Sequence, residues 1–319
     1  MSSTKPSPRG QALPVKQGFI REFKRNKTLF AMITPVMAYF VLFSYIPMVG
    51  IYYAFTRYNM QGGLFGSPFV GLKNFEFLFT SGTIAKITAN TVLYNLAFIL
   101  IGSLVEITVA IMLAEITNKV FKKTAQSMLL LPHFISYVLV AVFAYNLLNV
   151  DNGVINSLLQ KWGMDPYPFY SEPSAWKYIF VIVNVWKGTG YGSVVYLAAI
   201  MGISEEYYEA AKIDGATVFQ QIRRITLPLL KPTFIILFLF SLGRIMKGQF
   251  DMFFQLVGRN SLLMDATDII DTYVYRSLTQ NFDIGMGTAA GLYQSVFGFF
   301  LVMLTNAIVK KVNPDYALF

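Results

Sequence analysis

The chain has no cysteine and a single histidine, His133. It therefore contains no disulfide, no thiolate nucleophile and no zinc–thiolate site. Charged residues are also scarce, at 13% of the 319 residues, against about 25% in a typical soluble domain. Hydrophobic residues make up 55% of the chain. One water-soluble core cannot hide so much apolar surface, so the composition indicates an integral membrane protein.

Six apolar runs are long enough to cross a membrane, because a helix needs about 20 apolar residues to span the hydrocarbon core. The expected fold is an all-α integral membrane protein with six transmembrane helices. The runs cover residues 29–55, 87–111, 125–148, 176–201, 229–246 and 285–309.

The basic residues indicate how these helices are oriented. With the N-terminus in the cytoplasm, the inner segments hold 16 of the 26 basic residues and seven of the 17 acidic residues. The whole net charge of +9 then lies on the cytoplasmic side, as the positive-inside rule requires. Both termini are therefore expected in the cytoplasm. The excess of basic residues indicates how the helices are oriented in the membrane, and not nucleic-acid binding.

The first 28 residues differ in composition from the rest of the chain. Residues 1–18 are rich in Ser, Pro, Gly and Lys, which is typical of a disordered tail. Residues 19–28 place Phe19, Ile20 and Phe23 among charges, a pattern of an interfacial amphipathic helix. We expect a cytoplasmic tail over 1–28 and a six-helix transmembrane domain over 29–319.

A polar segment between the fourth and fifth runs, residues 204–228, is named here the EAA hairpin. Ser204 is placed to cap a helix that extends to residue 216, and Gly215 interrupts it because glycine permits a positive φ. A second helix is expected from Ala216 to Ile225, with Pro228 at the entry to the fifth run. The segment predicts a helix–glycine–helix hairpin on the inner face.

The EAA hairpin also carries a spaced motif. Glu209-Ala210-Ala211 is followed by Gly215, then by Ile225, then by Leu227-Pro228, without a gap. This pattern resembles the loop by which bacterial ABC importer permeases contact their ATPase. The chain is most similar to the carbohydrate and polysaccharide permeases of the maltose type.

The resemblance implies how the hairpin works. The stretch from Glu209 to Gly215, with Asp214 within it and Ala216 after it, would lie in a cleft of an ATP-binding subunit. Closure of an ATP-binding subunit dimer would then move the attached spans. The implied partners are a second permease subunit in a heterodimer, that ATPase dimer, an extracytoplasmic substrate-binding protein and an oligosaccharide substrate. The implied location is the bacterial cytoplasmic (inner) membrane.

The chain has no Walker A sequence of the form G-x-x-x-x-G-K-[ST], the phosphate-binding loop of many ATPases. It is therefore not expected to be an enzyme or to bind a cofactor of its own. ATP and Mg would be held by the partner ATPase subunits. No catalytic or metal-binding arrangement stands out in the sequence.

Shorter runs extend the resemblance over about residues 28–319. They are Asn90-Thr91, residues 131–136, residues 271–276 and the end of the chain. One departure concerns the end of the fifth run. Many relatives carry polar uncharged residues there, whereas this chain has Arg244 and Lys247.

Charged residues inside spans are costly and usually face the bundle interior or water. They are Glu106, Lys187, Arg244 and Lys247. Arg244 and Lys247 are three apart and are expected on one face of the fifth helix. Two interpretations stay open. Lys247 extends to the interface while Arg244 pairs with Glu106 or a carbonyl, or both line a path for an anionic, uronate-containing sugar.

Aromatic and amide side chains on the last three runs suit sugar rings and hydroxyls. The expected substrate path is therefore Asn184, Trp186, Lys187, Tyr191, Arg244, Lys247, Gln249, Phe253, Tyr293 and Gln294. The outer segment 248–283 is long for a loop, and Asp265 is placed to cap a helix there, near the binding protein. His133 is expected to be packed or hydrogen-bonded, with a proton relay as the alternative.

Two rival functions remain. One is a permease of the same type for a neutral sugar or another solute. The other is an ion-coupled secondary carrier, which would need intramembrane coupling carboxylates and usually internal repeats. Glu106 is the one candidate carboxylate, and no repeat is visible.

Overall fold

The computed structural model describes residues 25–312, and within them every regular element is helical. This confirms the all-α prediction for that part of the chain. The expected tail at 1–18 and most of the expected interfacial helix at 19–28 lie outside the described residues. The labelled helices are α1 (Lys27–Phe40), α2 (Lys73–Thr80), α3 (Thr83–Glu115), α4 (Lys119–Phe134), α5 (Tyr137–Leu148), α6 (Val154–Lys161), α7 (Pro173–Met201), α8 (Glu205–Ile213), α9 (Leu227–Leu242), α10 (Phe250–Val257), α11 (Ile270–Thr279) and α12 (Ile284–Val312).

The chain divides into two compact units, Met1–Ile51 and Tyr52–Phe319. In the first unit, none of the residues of α1 is buried. The helix continues through a π-helical turn, Val41–Tyr45, into a 3-10 stretch, Ile46–Phe55. Pro47 within that stretch lacks the N–H that an α-helix would use. The first predicted apolar run is thus helical throughout, with an irregular second half.

Four stretches of helix are long and apolar enough to cross a membrane by themselves. They are Lys27–Phe55, Thr83–Glu115, Val218–Leu242 and Ile284–Lys311. Helices α4 and α5 together would make a fifth span, although they meet at an angle of 94°. Helix α7 has 29 residues, but its polar middle makes it less apolar than those four stretches. The structure therefore has four or five candidate spans among the described residues.

In the second unit, α7 lies in the centre and packs along α3 and α4. Glycines allow the close approach, because a methyl group on Gly190 would overlap the backbone of Leu129 in α4. Three buried apolar clusters lie between the helices. The first centres on Trp176 and Phe180, the second on Ile270 and the helix α12, and the third on Tyr196 near the EAA hairpin.

The predicted run 125–148 is wrong as one continuous helix. It breaks between α4 and α5, where Ile135 is extended and Ser136 caps α5 by accepting from the Leu139 N–H at 3.4 Å. The broken end of α4 is completed by Lys187 of α7. Its Nζ donates to the carbonyls of Pro132 at 3.0 Å, His133 at 3.2 Å and Ile135. A buried cation at a helix C-terminus also complements the helix dipole.

The fifth helix ends earlier than predicted. Helix α9 ends at Leu242 and is followed by turns, so Arg244 and Lys247 do not share a helical face as expected. The turns are closed by bonds from Arg244 N–H to the Ser241 carbonyl and from Lys247 N–H to the Arg244 carbonyl, at 3.0 and 2.8 Å. We call Gly243–Gln249 the basic turn.

The outer segment is also more broken than the sequence predicts. Asp265 lies inside a one-turn helix, Met264–Thr267, and pairs with Lys86 instead of capping α11. Helix α11 begins only at Ile270. The Thr272 hydroxyl accepts from the Ile269 N–H at 2.9 Å and takes the capping role. A serine, threonine, asparagine or aspartate near a helix start can satisfy a free N–H in this way.

The contacts of Lys187 predict its effect on stability. Lys187→Met would remove the buried donor of the His133 and Ile135 carbonyls, while the Pro132 carbonyl would keep its bond from the Ile135 N–H at 3.2 Å. An unsatisfied buried group costs about 1–3 kcal/mol, so we expect a lower free energy of unfolding and a lower melting temperature of the purified protein in detergent. Lys177→Met is the matched control, because Lys177 is an exposed lysine of the same helix. Equal melting temperatures for the two variants would contradict a capping role.

Candidate functional site

The EAA hairpin begins as the sequence predicts. The Ser204 hydroxyl accepts from the Glu206 N–H at 3.4 Å and caps α8. Gly215 has a φ of +76°, which confirms the expected left-handed conformation. This conformation brings the Ala216 N–H to the Ala211 carbonyl at 2.8 Å. Such a bond is the usual way of closing a helix C-terminus on glycine.

The second half of the hairpin differs from the expected helix at 216–225. The Thr217 hydroxyl and the Gln220 side chain form a reciprocal capping box, so the helix begins two residues late, at Val218. A π-helical turn, Ile222–Thr226, then leads without interruption into α9. The hydroxyl of Tyr208 lies 3.0 Å from that of Thr226 and ties α8 to the entry of α9. The hairpin is thereby fixed to a long helix.

The predicted contact residues of the hairpin are mostly accessible. Glu209, Ala210, Asp214, Gly215, Leu227 and Pro228 are exposed, and Ala211, Ala216 and Ile225 are half-buried. The sequence analysis did not single out Ile213 and Phe219, which are 86% and 71% exposed. The sequence could have indicated both, because they are large apolar residues in a polar segment, one on each side of the turn at Gly215. The hairpin therefore offers an apolar surface edged by carboxylates.

Two cavities lie beside the break in α4 and the basic turn. The first, of about 700 Å³, is lined by the α4–α5 junction and by Asn184, Lys187, Gln249 and Asp251. The second, of about 370 Å³, is lined by Asn95, Ser103 and Glu106 of α3 and by Arg244, Lys247 and Gln249. Gln249 belongs to both linings, and its Oε1 accepts from the Tyr137 hydroxyl at 3.0 Å.

Within residues 25–312, Arg244 and Lys247 are exposed and make no ion pair. Glu106 lines the same cavity as both but is not paired with Arg244 there. A methyl group on Gly192 would overlap the Glu106 carboxylate, so α7 packs directly against it. The second cavity thus has one carboxylate on a helix and two cations on the opposite turn.

The remaining residues of the expected path are distributed differently. Trp186 and Tyr191 are exposed on α7, at 43% and 60%, and Tyr191 stacks on His133 with ring centroids 5.1 Å apart. Phe253 is 1% exposed and stacks on Phe180 at 4.0 Å, so it belongs to the core and not to either cavity. His133 is itself exposed and its ring contacts those of Phe134 and Tyr191, so the packed or hydrogen-bonded role and the proton relay both stay open.

Tyr293 and Gln294 of α12 lie away from both cavity linings. The Tyr293 hydroxyl accepts from Thr88 at 3.3 Å. Gln294 Nε2 donates to the Met246 carbonyl at 2.7 Å and to Asp271 at 3.0 Å. Lys187 lines the first cavity, yet its ammonium is held by the end of α4. Of the expected path, the structure therefore brings Gln249 together with Arg244 and Lys247 at the second cavity and with Asn184 at the first.

The sequence analysis missed several polar residues that the structure places at these cavities. Tyr137, Asp251 and Gln255 line the first, and Asn95 and Ser103 line the second. Asn95 and Ser103 carried a weak signal, since they are polar residues in an otherwise apolar run. Tyr137 and Asp251 reach the first cavity only because the chain bends at residues 135–136 and 243–249, and no local pattern predicts those bends.

Solved structures resemble this fold closely. A chain of a bacterial ABC transporter involved in the import of the acidic polysaccharide alginate matches with a TM-score of 0.83 and 34% identity, covering 92% of this chain and 99% of that chain. A chain of a bacterial alginate ABC transporter, in complex with an alginate pentasaccharide-bound periplasmic protein, matches with a TM-score of 0.82 and 34% identity, covering 92% and 98%.

Sequence comparison agrees. The polygalacturonan/rhamnogalacturonan transport system permease protein YteP of Bacillus subtilis (strain 168) is 35% identical over 291 residues, which are 91% of this chain and 90% of YteP. Protein LplB of the same organism is 32% identical, covering 92% and 91%. The family described as binding-protein-dependent transport system inner membrane component matches residues 99–314. The resemblance seen in the EAA hairpin is confirmed, and the chain belongs to this family of ABC transporter permeases.

Proposed function

We propose that the chain is one of two permease subunits of an ATP-driven importer for an acidic oligosaccharide. A second permease, an ATP-binding subunit dimer and an extracytoplasmic substrate-binding protein complete the assembly in the bacterial cytoplasmic membrane. ATP and Mg are held by the ATPase subunits. Family membership supports the importer, and the alginate relative crystallised with its periplasmic protein supports delivery by such a partner.

The proposal includes six membrane crossings with both ends in the cytoplasm. Helices α4 and α5 together form the third crossing despite their bend, and α7 forms the fourth. A polar middle is acceptable in α7 because α3 and α4 pack along it and the first cavity borders it. Polar residues within membrane spans usually face the bundle interior or a water-filled cavity. The EAA hairpin then lies on the cytoplasmic side.

The EAA hairpin is proposed to contact the ATPase. Exposed Glu209 and Asp214 would face basic groups of that subunit, while Ile213 and Phe219 would insert into an apolar cleft. Because the hairpin continues directly into α9, movement of the ATPase would move α9 and, beyond its end, the basic turn. The mechanical connection from the hairpin to the second cavity is therefore one helix of 16 residues.

Gly215→Val tests this contact. A β-branched residue is a strong outlier at the positive φ of Gly215, so the hairpin would change shape. In proteoliposomes with both permeases and the ATPase, we expect the stimulation of ATP hydrolysis by loaded binding protein to fall at least tenfold. The matched control is Gly163→Val, since Gly163 has the same φ of +76° in the segment between α6 and α7. Full stimulation in Gly215→Val, or an equal loss in Gly163→Val, would refute the contact.

The acidic substrate is proposed from one observation above all. Arg244 and Lys247 line the second cavity, are exposed and have no anionic partner among residues 25–312. A guanidinium can bind a carboxylate through two parallel hydrogen bonds, and an ammonium adds a second charge. The amides of Asn95 and Gln249 in the same cavity suit sugar hydroxyls. The relatives that transport polygalacturonan and alginate agree with this substrate class.

Arg244→Ala and Lys247→Ala test the substrate class. A hydrogen bond to a charged group contributes about 1.5–3 kcal/mol, so each change should raise the KM for a uronate oligosaccharide about tenfold or more. Uptake would be measured in proteoliposomes, in parallel with a neutral oligosaccharide of equal length. Arg259→Ala is the control, because Arg259 is an exposed arginine outside the second cavity. Unchanged uptake of the acidic sugar would refute this substrate class.

A neutral sugar is the second candidate, and Glu106 favours it. Its carboxylate lines the second cavity and would repel an anion while accepting hydrogen bonds from hydroxyls. The same uptake assay separates the two candidates, because a neutral-sugar permease would transport the neutral oligosaccharide faster in the unaltered protein. Membership of a binding-protein-dependent family speaks against the ion-coupled carrier.

A further inference from the structure

The carboxylate of Asp271 contacts the basic turn and α12 at the same time. Its Oδ2 accepts from the Gly248 N–H at 2.8 Å and from Gln294 Nε2 at 3.0 Å. The same Gln294 nitrogen donates to the Met246 carbonyl at 2.7 Å. Asp271 and Gln294 therefore hold the backbone of the basic turn on both sides of Lys247.

The basic turn depends on such contacts because it has left the helix. The bonds between its own backbone groups after Leu242 are turn bonds, and both cationic side chains are exposed. Gly248 fits tightly against the aspartate, since a Cβ there would come within 2.5 Å of Asp271 Oδ2 and of Ile269 Cδ1. A larger residue at this position would push the Asp271 carboxylate and the Ile269 methyl group aside.

Asp271 is itself fixed by a network around the start of α11. The Thr91 hydroxyl of α3 accepts from the Ile270 N–H at 3.0 Å, next to Asp271. Asn90 Nδ2 donates to the Asp268 carbonyl at 2.9 Å. The Asp268 carboxylate receives two bonds from Arg276, at 3.0 and 2.6 Å. A two-bond arginine–carboxylate pair has a defined geometry, so the start of α11 is held in place.

The network explains two short runs that the sequence analysis noted without assigning them a role. Asn90-Thr91 holds the backbone at the start of α11, and residues 271–276 supply both Asp271 and the Arg276 that pairs with Asp268. The two runs are about 180 positions apart in the chain and are adjacent in the fold. Together with Gln294 they connect α3, α11 and α12 to one short turn.

We infer that Asp271 and Gln294 are positioning residues that keep Arg244 and Lys247 at the second cavity. Asp271 acts as a hydrogen-bond acceptor for the turn, and Gln294 as a donor that links the aspartate to the Met246 carbonyl. Neither side chain lines the cavity. The consequence for uptake of acidic sugar depends on the proposed function, whereas the position of the turn does not.

The position of the turn can be measured without any transport assay. The chain has no native cysteine, so Lys247→Cys creates a single attachment point for a nitroxide spin label. We expect Asp271→Ala and Gln294→Leu to increase the mobility of that label clearly in the purified protein. Asp271→Asn should restore low mobility, because an amide oxygen can still accept from the Gly248 N–H. Asp265→Ala, which removes another carboxylate of the segment 248–283 and its ion pair with Lys86, should change nothing.

The transport measurement uses the same substitutions with Lys247 restored, in the complete importer. We expect Asp271→Ala to raise the KM for a uronate oligosaccharide about tenfold, with an unchanged maximal rate and with rescue by Asp271→Asn. An immobile label in both Asp271→Ala and Gln294→Leu would overturn the inference. A mobile label that Asp271→Asn leaves mobile would also overturn it, because Asp271 would then act through its charge. If Arg244→Ala does not affect uptake of the acidic sugar, the proposed substrate fails, and the label still decides the role of Asp271.

Discussion

Every interruption of a helix in an apolar environment leaves backbone N–H and carbonyl groups that water cannot satisfy, and the fold depends on how these groups are bonded. Three interruptions in the second unit are completed by side chains from distant helices. Lys187 of α7 completes the end of α4. Asp271 and Gln294 complete the basic turn. Thr91 of α3 completes the start of α11. Each of these bonds also holds two helices at a fixed distance. The side chain that satisfies a free backbone group therefore also fixes how the two helices pack.

The two cavities are located where the helices are interrupted. A continuous helix presents only side chains to its surroundings, whereas a break creates space and exposes polar backbone, and the first cavity lies at the break between α4 and α5. The second lies beside the basic turn. Gln249, at the end of that turn, lines both cavities and bonds to Tyr137 of α5. The interruptions of two apolar segments thus place polar side chains at two cavities that share Gln249.

The sequence predicts the features that depend on neighbours along the chain. Apolar runs predict the helices, and Ser204 and Gly215 predict the beginning of α8 and the turn after it. The bend at residue 135 and the end of α9 at Leu242 were not predicted, since both depend on contacts more than 20 positions away. The role of Lys187 was missed for the same reason. A lysine in an apolar run predicts a polar partner. The run does not predict whether that partner is a ligand or the end of another helix.

Arg244 and Lys247 lie on a turn and not on a helix, and this determines how the two cations would move if α9 moved. On a helix their positions would follow the rigid body of α9, and their side chains would move together with the EAA hairpin. On the basic turn they are connected to α9 at Leu242 and to α11 and α12 through Asp271 and Gln294. A movement of α9 relative to α12 must therefore be absorbed within a few residues, between Gly243 and Gly248. The cations would then change their distance to Glu106 of α3 while their backbone stays attached at both ends. Under the proposed function, the helix that would receive the motion and the cations that would contact the solute are adjacent, so a displacement at the hairpin would alter the charge balance of the second cavity.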